Sequence, residues 1–221
     1  MKRENKAPIQ YSASKWLIFL LGLLVMAFGI VLMIKADIGS APWDVFHIGL
    51  FIQFGLTIGS WSIIVGFFVL MIGSLMSKAW PQLGAFLNML LVGVFIDLFM
   101  MLPFLVTPQS LMGQVMMLLV GIVIIGYGIG LYISAKCGAG PRDMLMLVLT
   151  KKTGWKVQHI RLFMEVIVLT LGYFMGGPIF IGTIIFCITI GPIVGITLPQ
   201  CEKAVEKILK PTLDHPVRAE M

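Results

Sequence analysis

Apolar residues gather in six runs, at 16–34, 60–76, 83–105, 111–133, 160–175 and 179–198, each bounded by charge, glycine or proline. Hydrocarbon about 30 Å thick takes roughly 20 mostly apolar residues of helix, so each run is long enough to cross a bilayer. Little remains between them from which a water-soluble domain could be built. Composition agrees: 59% of residues are hydrophobic and 12% charged, with a mean hydropathy of +1.01, against about half and a quarter in soluble chains. The expected fold class is an all-α membrane protein of six transmembrane helices.

Two further apolar segments, 42–55 and 141–150, are too short to cross. Each follows a span directly and opens Pro-x-Asp, which predicts a short broken helix, re-entrant or interfacial. The basic start followed by the run from Trp16 has the outline of a signal peptide. The run is long and lacks a small-x-small cleavage site, so it is expected to stay as the first span.

The net charge of +6 does not point to nucleic acid, because the basic residues flank apolar runs and form no patch interleaved with aromatics. They report orientation instead. Lys2, Arg3, Lys6 and Lys15 precede the first span, Lys78 follows the second, and Lys136, Arg142, Lys151, Lys152, Lys156 and Arg161 surround the fourth loop. Four more lie in the tail, and only Lys35 falls on the other side of a six-span topology. Both termini are therefore expected in the cytoplasm.

Sliding the chain on itself by 99 residues aligns 28–44 with 127–143, and eight of the seventeen pairs are identical. Three of the identities, Gly39/Gly138, Pro42/Pro141 and Asp44/Asp143, spell Gly-x-x-Pro-x-Asp. Gly55/Gly154 and Gly73/Gly172 keep the offset, and Gly84/Gly182 and Gly93/Gly191 continue it with a one-residue slip. Each copy holds three crossings, an odd number, so the second copy is expected to be inverted. The loop holding Asp37 and Asp44 is acidic and its twin holding Lys136 and Arg142 is basic, as inversion requires. The chain divides into a cytoplasmic tail (1–15), two three-span repeats (16–105 and 106–198) and an amphipathic cytoplasmic tail (199–221) expected on the membrane surface.

The repeated motif has two readings. In the first, Gly39 and Gly138 end a helix, Pro42 and Pro141 start the next, and Asp44 and Asp143 face its positive end, which is helix capping. In the second, two dipping helix ends meet near the midplane from opposite sides and form a solute site.

The segments Lys-Ala-Asp-Ile-Gly-Ser-Ala-Pro-Trp-Asp-Val at 35–45, Gly-Leu-Thr-Ile-Gly-Ser-Trp-Ser-Ile-Ile-Val-Gly at 55–66, Leu-Asn-Met-Leu-Leu-Val-Gly-Val-Phe-Ile-Asp at 87–97 and Gly-Ala-Gly-Pro-Arg-Asp at 138–143 carry a resemblance. The chain resembles the YczE/YyaS/YitT family of bacterial integral membrane proteins, within its YczE branch, over nearly its whole length. The resemblance implies a bacterial cell-membrane location. It brings neither a substrate nor catalytic residues.

Asp97 and Glu165 lie within the third and fifth spans, where an ionisable side chain is costly and usually faces the bundle interior or water. They are the best candidates for a solute or ion pathway; the alternative is a carboxylate close enough to the headgroups to stay hydrated, which fits Asp97, near the outer end of its span, about as well. Asn88 suits a helix-to-helix hydrogen bond, His47 a headgroup position beside Trp43 or a proton carrier, and Arg142 either an anion contact or one more basic loop residue. Recurrent span glycines such as Gly121, Gly126, Gly128 and Gly130 read as close packing. Cys137, Cys187 and Cys201 have neither metal-ligand nor disulfide spacing, and no metal or other cofactor is expected. Zinc-protease, P-loop and serine-elbow motifs are missing, so catalysis is not expected. Two functions fit: a transporter or channel for a small solute or ion, or a membrane accessory scaffold. The expected partners are the lipid bilayer and that solute, no nucleic acid, with a homo-oligomer compatible.

Overall fold

A computed structural model of the chain describes residues 9–209, so the basic ends holding Lys2, Arg3, Lys6, Lys210 and Arg218 lie outside the described residues. Among the described residues every regular element is an α-helix: α1 (Ile9–Ala36), α2 (Pro42–Phe54), α3 (Ile58–Ser77), α4 (Leu83–Met100), α5 (Leu111–Ser134), α6 (Pro141–Thr153), α7 (Val157–Phe174) and α8 (Ile181–Leu209). Six are long and apolar enough to cross a membrane: α1 over Ala13–Ala36, then α3, α4, α5, α7 and α8. Their outer faces carry exposed Leu17, Leu21, Phe68, Leu75, Leu162 and Phe163. That surface suits hydrocarbon and would be untenable in water.

The helices begin and end where local chemistry dictates. Thr57 and Ser110 cap α3 and α5 by accepting from the amides of Ser60 and Gly113. α4 stops short of the apolar run that continues to Leu105, because Pro103 disfavours helix at Leu102. α2 and α6 have 13 residues each, about 20 Å of helix at 1.5 Å per residue, too short to cross. Pro42 and Pro141 occupy their first turns, and Gly55 and Gly154 close them with φ of 74° and 73°. Beyond the preceding spans the left-handed residues are Asp37 (φ 56°) and Lys136 (φ 55°), again one repeat apart. Gly39 and Gly138 do not end those helices, as the sequence suggested. At φ of 116° and 143° they turn the connecting loop two residues later.

The core is built on α1 against α5. Phe19, Leu23, Ala27 and Val31 recur every four residues along α1 and are fully buried. A Cβ added to Gly22 would strike Tyr132, on Gly128 it would strike Met26, on Gly29 Ile125, and on Gly121 Met33. Numbers rise on one helix as they fall on the other, so the two run antiparallel, with glycine letting the backbones approach at each crossing. Every contact has its counterpart: the pair 22 and 132 maps by the 99-residue offset onto 121 and 33, and 29 with 125 onto 128 with 26. The same reciprocity joins α2 to α7 and α3 to α6.

α8 departs from expectation. Pro192 and Pro199 both lie inside it, and the helix runs on to Leu209 without a break. Proline is tolerated inside a membrane helix because neighbouring groups satisfy the freed carbonyls. The stretch expected to lie on the membrane surface is the end of this helix. Its Val205 and Leu209 are buried in the same core as Ile18 and Phe19, while Ile208 faces outward.

Candidate functional site

The loops after α1 and α5 turn back into the protein, so that α2 and α6 begin in its interior. A helix start carries amides with no intrahelical acceptor and the positive end of the helix dipole. Here two such starts converge. Trp43 and Arg142 hold the same place in the two copies of the motif, and the Arg142 guanidinium carbon lies 4.8 Å from the centre of the Trp43 ring. Residues equivalent by repeat touch each other at the meeting point of the halves.

Around that contact lies a cavity of about 290 Å³, lined from both halves. Its polar lining includes Asp44, His47, Ser62, Asn88, Tyr132, Arg142, Asp143, Arg161 and Glu165. Its walls are apolar, with Ile30, Val65, Val92, Ile129, Phe186 and Ile190 among them. Of the residues singled out from sequence, Asp44, Asp143, Glu165, Asn88 and Arg142 are thus brought together, with Pro42 and Pro141 in the same lining.

Their states differ. The Tyr132 hydroxyl donates to Asp143, and Arg161 donates to Glu165 at 3.0 Å. Asp44 is 1% exposed and its Oδ1 has no hydrogen-bond partner. Arg142 Nη2 stands 3.9 Å from that oxygen and His47 Nδ1 3.8 Å, both beyond hydrogen-bond reach. His47 Nδ1 and Asn88 Nδ2 are likewise buried and unpartnered. Leaving such a group unsatisfied costs about 1–3 kcal/mol each, so three of them around one cavity are not explained by packing. Neither Asp44 nor Asp143 caps its helix through a side-chain hydrogen bond, which leaves only the dipole term of the capping reading. His47 sits in the core and not at a headgroup position, because its spacing from Asp44 puts both on one face of α2.

Asp97 stands apart from the cavity. Its carboxylate accepts from the Thr57 hydroxyl at 2.6 Å and from the Gly59 amide at 2.9 Å, fastening the start of α3 to α4. Sequence reading did not single out Tyr132, Arg161 or Trp43 as site residues. Trp43 carried a signal, since a residue beside the axis of a duplicated fold meets its own repeat equivalent.

The chain's residues 13–199 match the model of a family described as of unknown function, DUF6198. The chain is 48% identical over 188 residues to "Uncharacterized membrane protein YczE" of Bacillus subtilis, covering 84% of this chain and 86% of the relative. It is 30% identical over 185 residues to an "Uncharacterized protein" of Haemophilus influenzae, covering 84% and 83%. It is 26% identical over 190 residues to "Uncharacterized protein YyaS" of Bacillus subtilis, covering 86% and 94%. No solved structure matches the chain. On these matches and six apolar helices the chain is a polytopic membrane protein that belongs to the DUF6198 family and is a relative of YczE and YyaS.

Proposed function

We propose that the protein carries a small polar solute across the bacterial cell membrane, using the cavity between its two broken helices as the binding site. The observation that carries this reading is the group of unpartnered, buried polar atoms on Asp44, His47 and Asn88 where the starts of α2 and α6 converge. Intramembrane ionisable groups that face an interior cavity commonly belong to a solute pathway. Discontinuous helices meeting at a repeat interface are a recurring way to build one.

The second half is read as inverted, with both termini cytoplasmic. The antiparallel run of α1 against α5 and the charge difference between their following loops support this. Alternating access follows as a rocking of one half against the other about the cavity. The rival scaffold reading called for a dry, packed interface between the halves, and the cavity speaks against it. No catalytic role is assigned.

The test is reconstitution of the full chain in liposomes with a panel of small cations, anions and zwitterions. Uptake above empty liposomes, lost in the triple variant Asp44→Asn, Asp143→Asn and Glu165→Gln, is the expected result. Uptake that survives all three substitutions would place the pathway elsewhere.

A further inference from the structure

The cavity's charges can be sorted by whether another residue already holds them. Asp143 is held by Tyr132 and Glu165 by Arg161. Asp44 Oδ1 has no hydrogen-bond partner, and among the described residues the Arg142 guanidinium donates no hydrogen bond, stacking on Trp43 instead. One carboxyl and one guanidinium thus meet at the cavity as an ion pair 3.9 Å apart with no hydrogen bond between them, and orphaned His47 Nδ1 lies on the Asp44 side. Asn88, whose Nδ2 is also orphaned, lies against Gly140 at the start of α6.

A lone cation drawn to Asp44 would sit beside Arg142 and two positive helix ends. A lone anion drawn to Arg142 would sit beside Asp44. In a low-dielectric site each is opposed by the neighbour it does not need. A solute bearing both charges on adjacent atoms satisfies both. Its carboxylate meets the Arg142 fork, the Asn88 amide and the free amides of α6, and its ammonium meets Asp44.

Size narrows the class further. At about 290 Å³ the cavity is at the bottom of the range of about 300–1,000 Å³ that takes drug-sized ligands. The apolar walls around Ile30, Val92, Ile129 and Phe186 leave room for a short hydrocarbon group and offer no further polar partner there. We infer that the cavity binds a small zwitterion with an ammonium and a carboxylate on one carbon and a short apolar group, the chemistry of an aliphatic α-amino acid. This rests on the reading of the cavity as a solute site.

The test compares L-valine with the two probes that each lack one of its charged groups and keep its hydrocarbon, isobutylamine and isovalerate, on the purified full chain in lipid nanodiscs. Binding is read by calorimetry, separately from flux in liposomes. The expected result is that valine binds at least about tenfold more tightly than either half-probe, since each half-probe forgoes the charged hydrogen bonds of one pole. Asp44→Asn and Arg142→Gln should each remove the preference for valine, with helix content unchanged by circular dichroism. The comparison on the unmodified chain needs no variant to fold. Isobutylamine or isovalerate binding as tightly as valine, or no binding of valine by the folded chain, would overturn the inference. Valine binding without valine flux would sink the transport reading and leave the ligand class standing. Flux of an amine or a carboxylate without valine binding would do the reverse.

Discussion

The face of α4 that carries Gly93 and Asp97 is covered, whereas the matching face of α8, with Gly191 and Gly195, is open. On the first half a Cβ at Gly59 would lie 2.1 Å from the Gly93 carbonyl oxygen, and Asp97 ties the two helices together. On the second half nothing approaches within 4 Å of a Cβ placed on Gly191 or Gly195, and α7 is not packed on α8 as α3 is on α4. The broken helices differ in the same sense between halves. α2 is buried along most of its length, and a Cβ placed on Gly172 of α7 would strike Val45 and Phe46, while α6 buries only Pro141 and comes no nearer than 3.8 Å to a Cβ placed on Gly73 of α3. Near-equivalent sequences have therefore packed into two arrangements. Under alternating access that is the expected appearance of one state: the side bounded by α3 and α4 is shut, and the side bounded by α7 and α8 is open. On the proposed transport cycle, exchanging the two arrangements would give the other state, with α7 closed on the glycine face of α8.

Several substitutions would break or sharpen this contrast. The largest effect is expected from Gly93→Leu, which forces a side chain into the α3 contact. It should cost roughly 1–3 kcal/mol or more, up to preventing folding, read as thermal unfolding in nanodiscs. Gly191→Leu, its repeat equivalent, should stay within about 0.5 kcal/mol of the parent because it points into open space, yet it should stop transport by blocking closure of α7. Equal destabilisation by the two would remove the asymmetry. Next, Asp97→Ala orphans the Thr57 and Gly59 donors and should cost about 1–3 kcal/mol without changing which solutes bind. A change in solute preference would return Asp97 to the site. Asp44→Asn, which removes a buried carboxyl with no hydrogen bond to its Oδ1, should not destabilise the fold. We expect a change between zero and a gain of about 1 kcal/mol, together with loss of solute binding, since residues kept for function are rarely optimal for stability.

Much of this was legible in the sequence, and the illegible parts have definite causes. The six spans follow from hydrocarbon thickness alone. The starts of α2 and α6 follow from Pro42 and Pro141 at the first turns, whereas α6 runs to Thr153, past the end expected at 150, because its polar last turn continues the helix until Gly154. The meeting of Asp44, Arg142 and Asp143 at one cavity is what one of the two readings of the repeated Gly-x-x-Pro-x-Asp motif expected, the other being helix capping. The role of Asp97 was hidden, since hydropathy cannot distinguish a carboxylate facing a cavity from one fastening a helix start 38 residues earlier. The continuity of α8 was hidden because Pro199 reads as a stop, a rule made for water that weakens where other helices surround the backbone. Tyr132 could not be foreseen as the partner of Asp143, because that contact depends on how far the loop after α5 turns back.

Asp37 and Lys136 offer the most direct test of the opposed halves: they are repeat equivalents, both exposed, and each carries the left-handed turn that follows its span. Single cysteines would replace them in a chain whose Cys137, Cys187 and Cys201 have been changed to serine, and intact cells would be treated with a membrane-impermeant maleimide. The cysteine at 37 should label from outside, and the one at 136 only after the membrane is opened. Labelling of both from the same side would contradict the inversion, and the shared site between α2 and α6 would lose its basis.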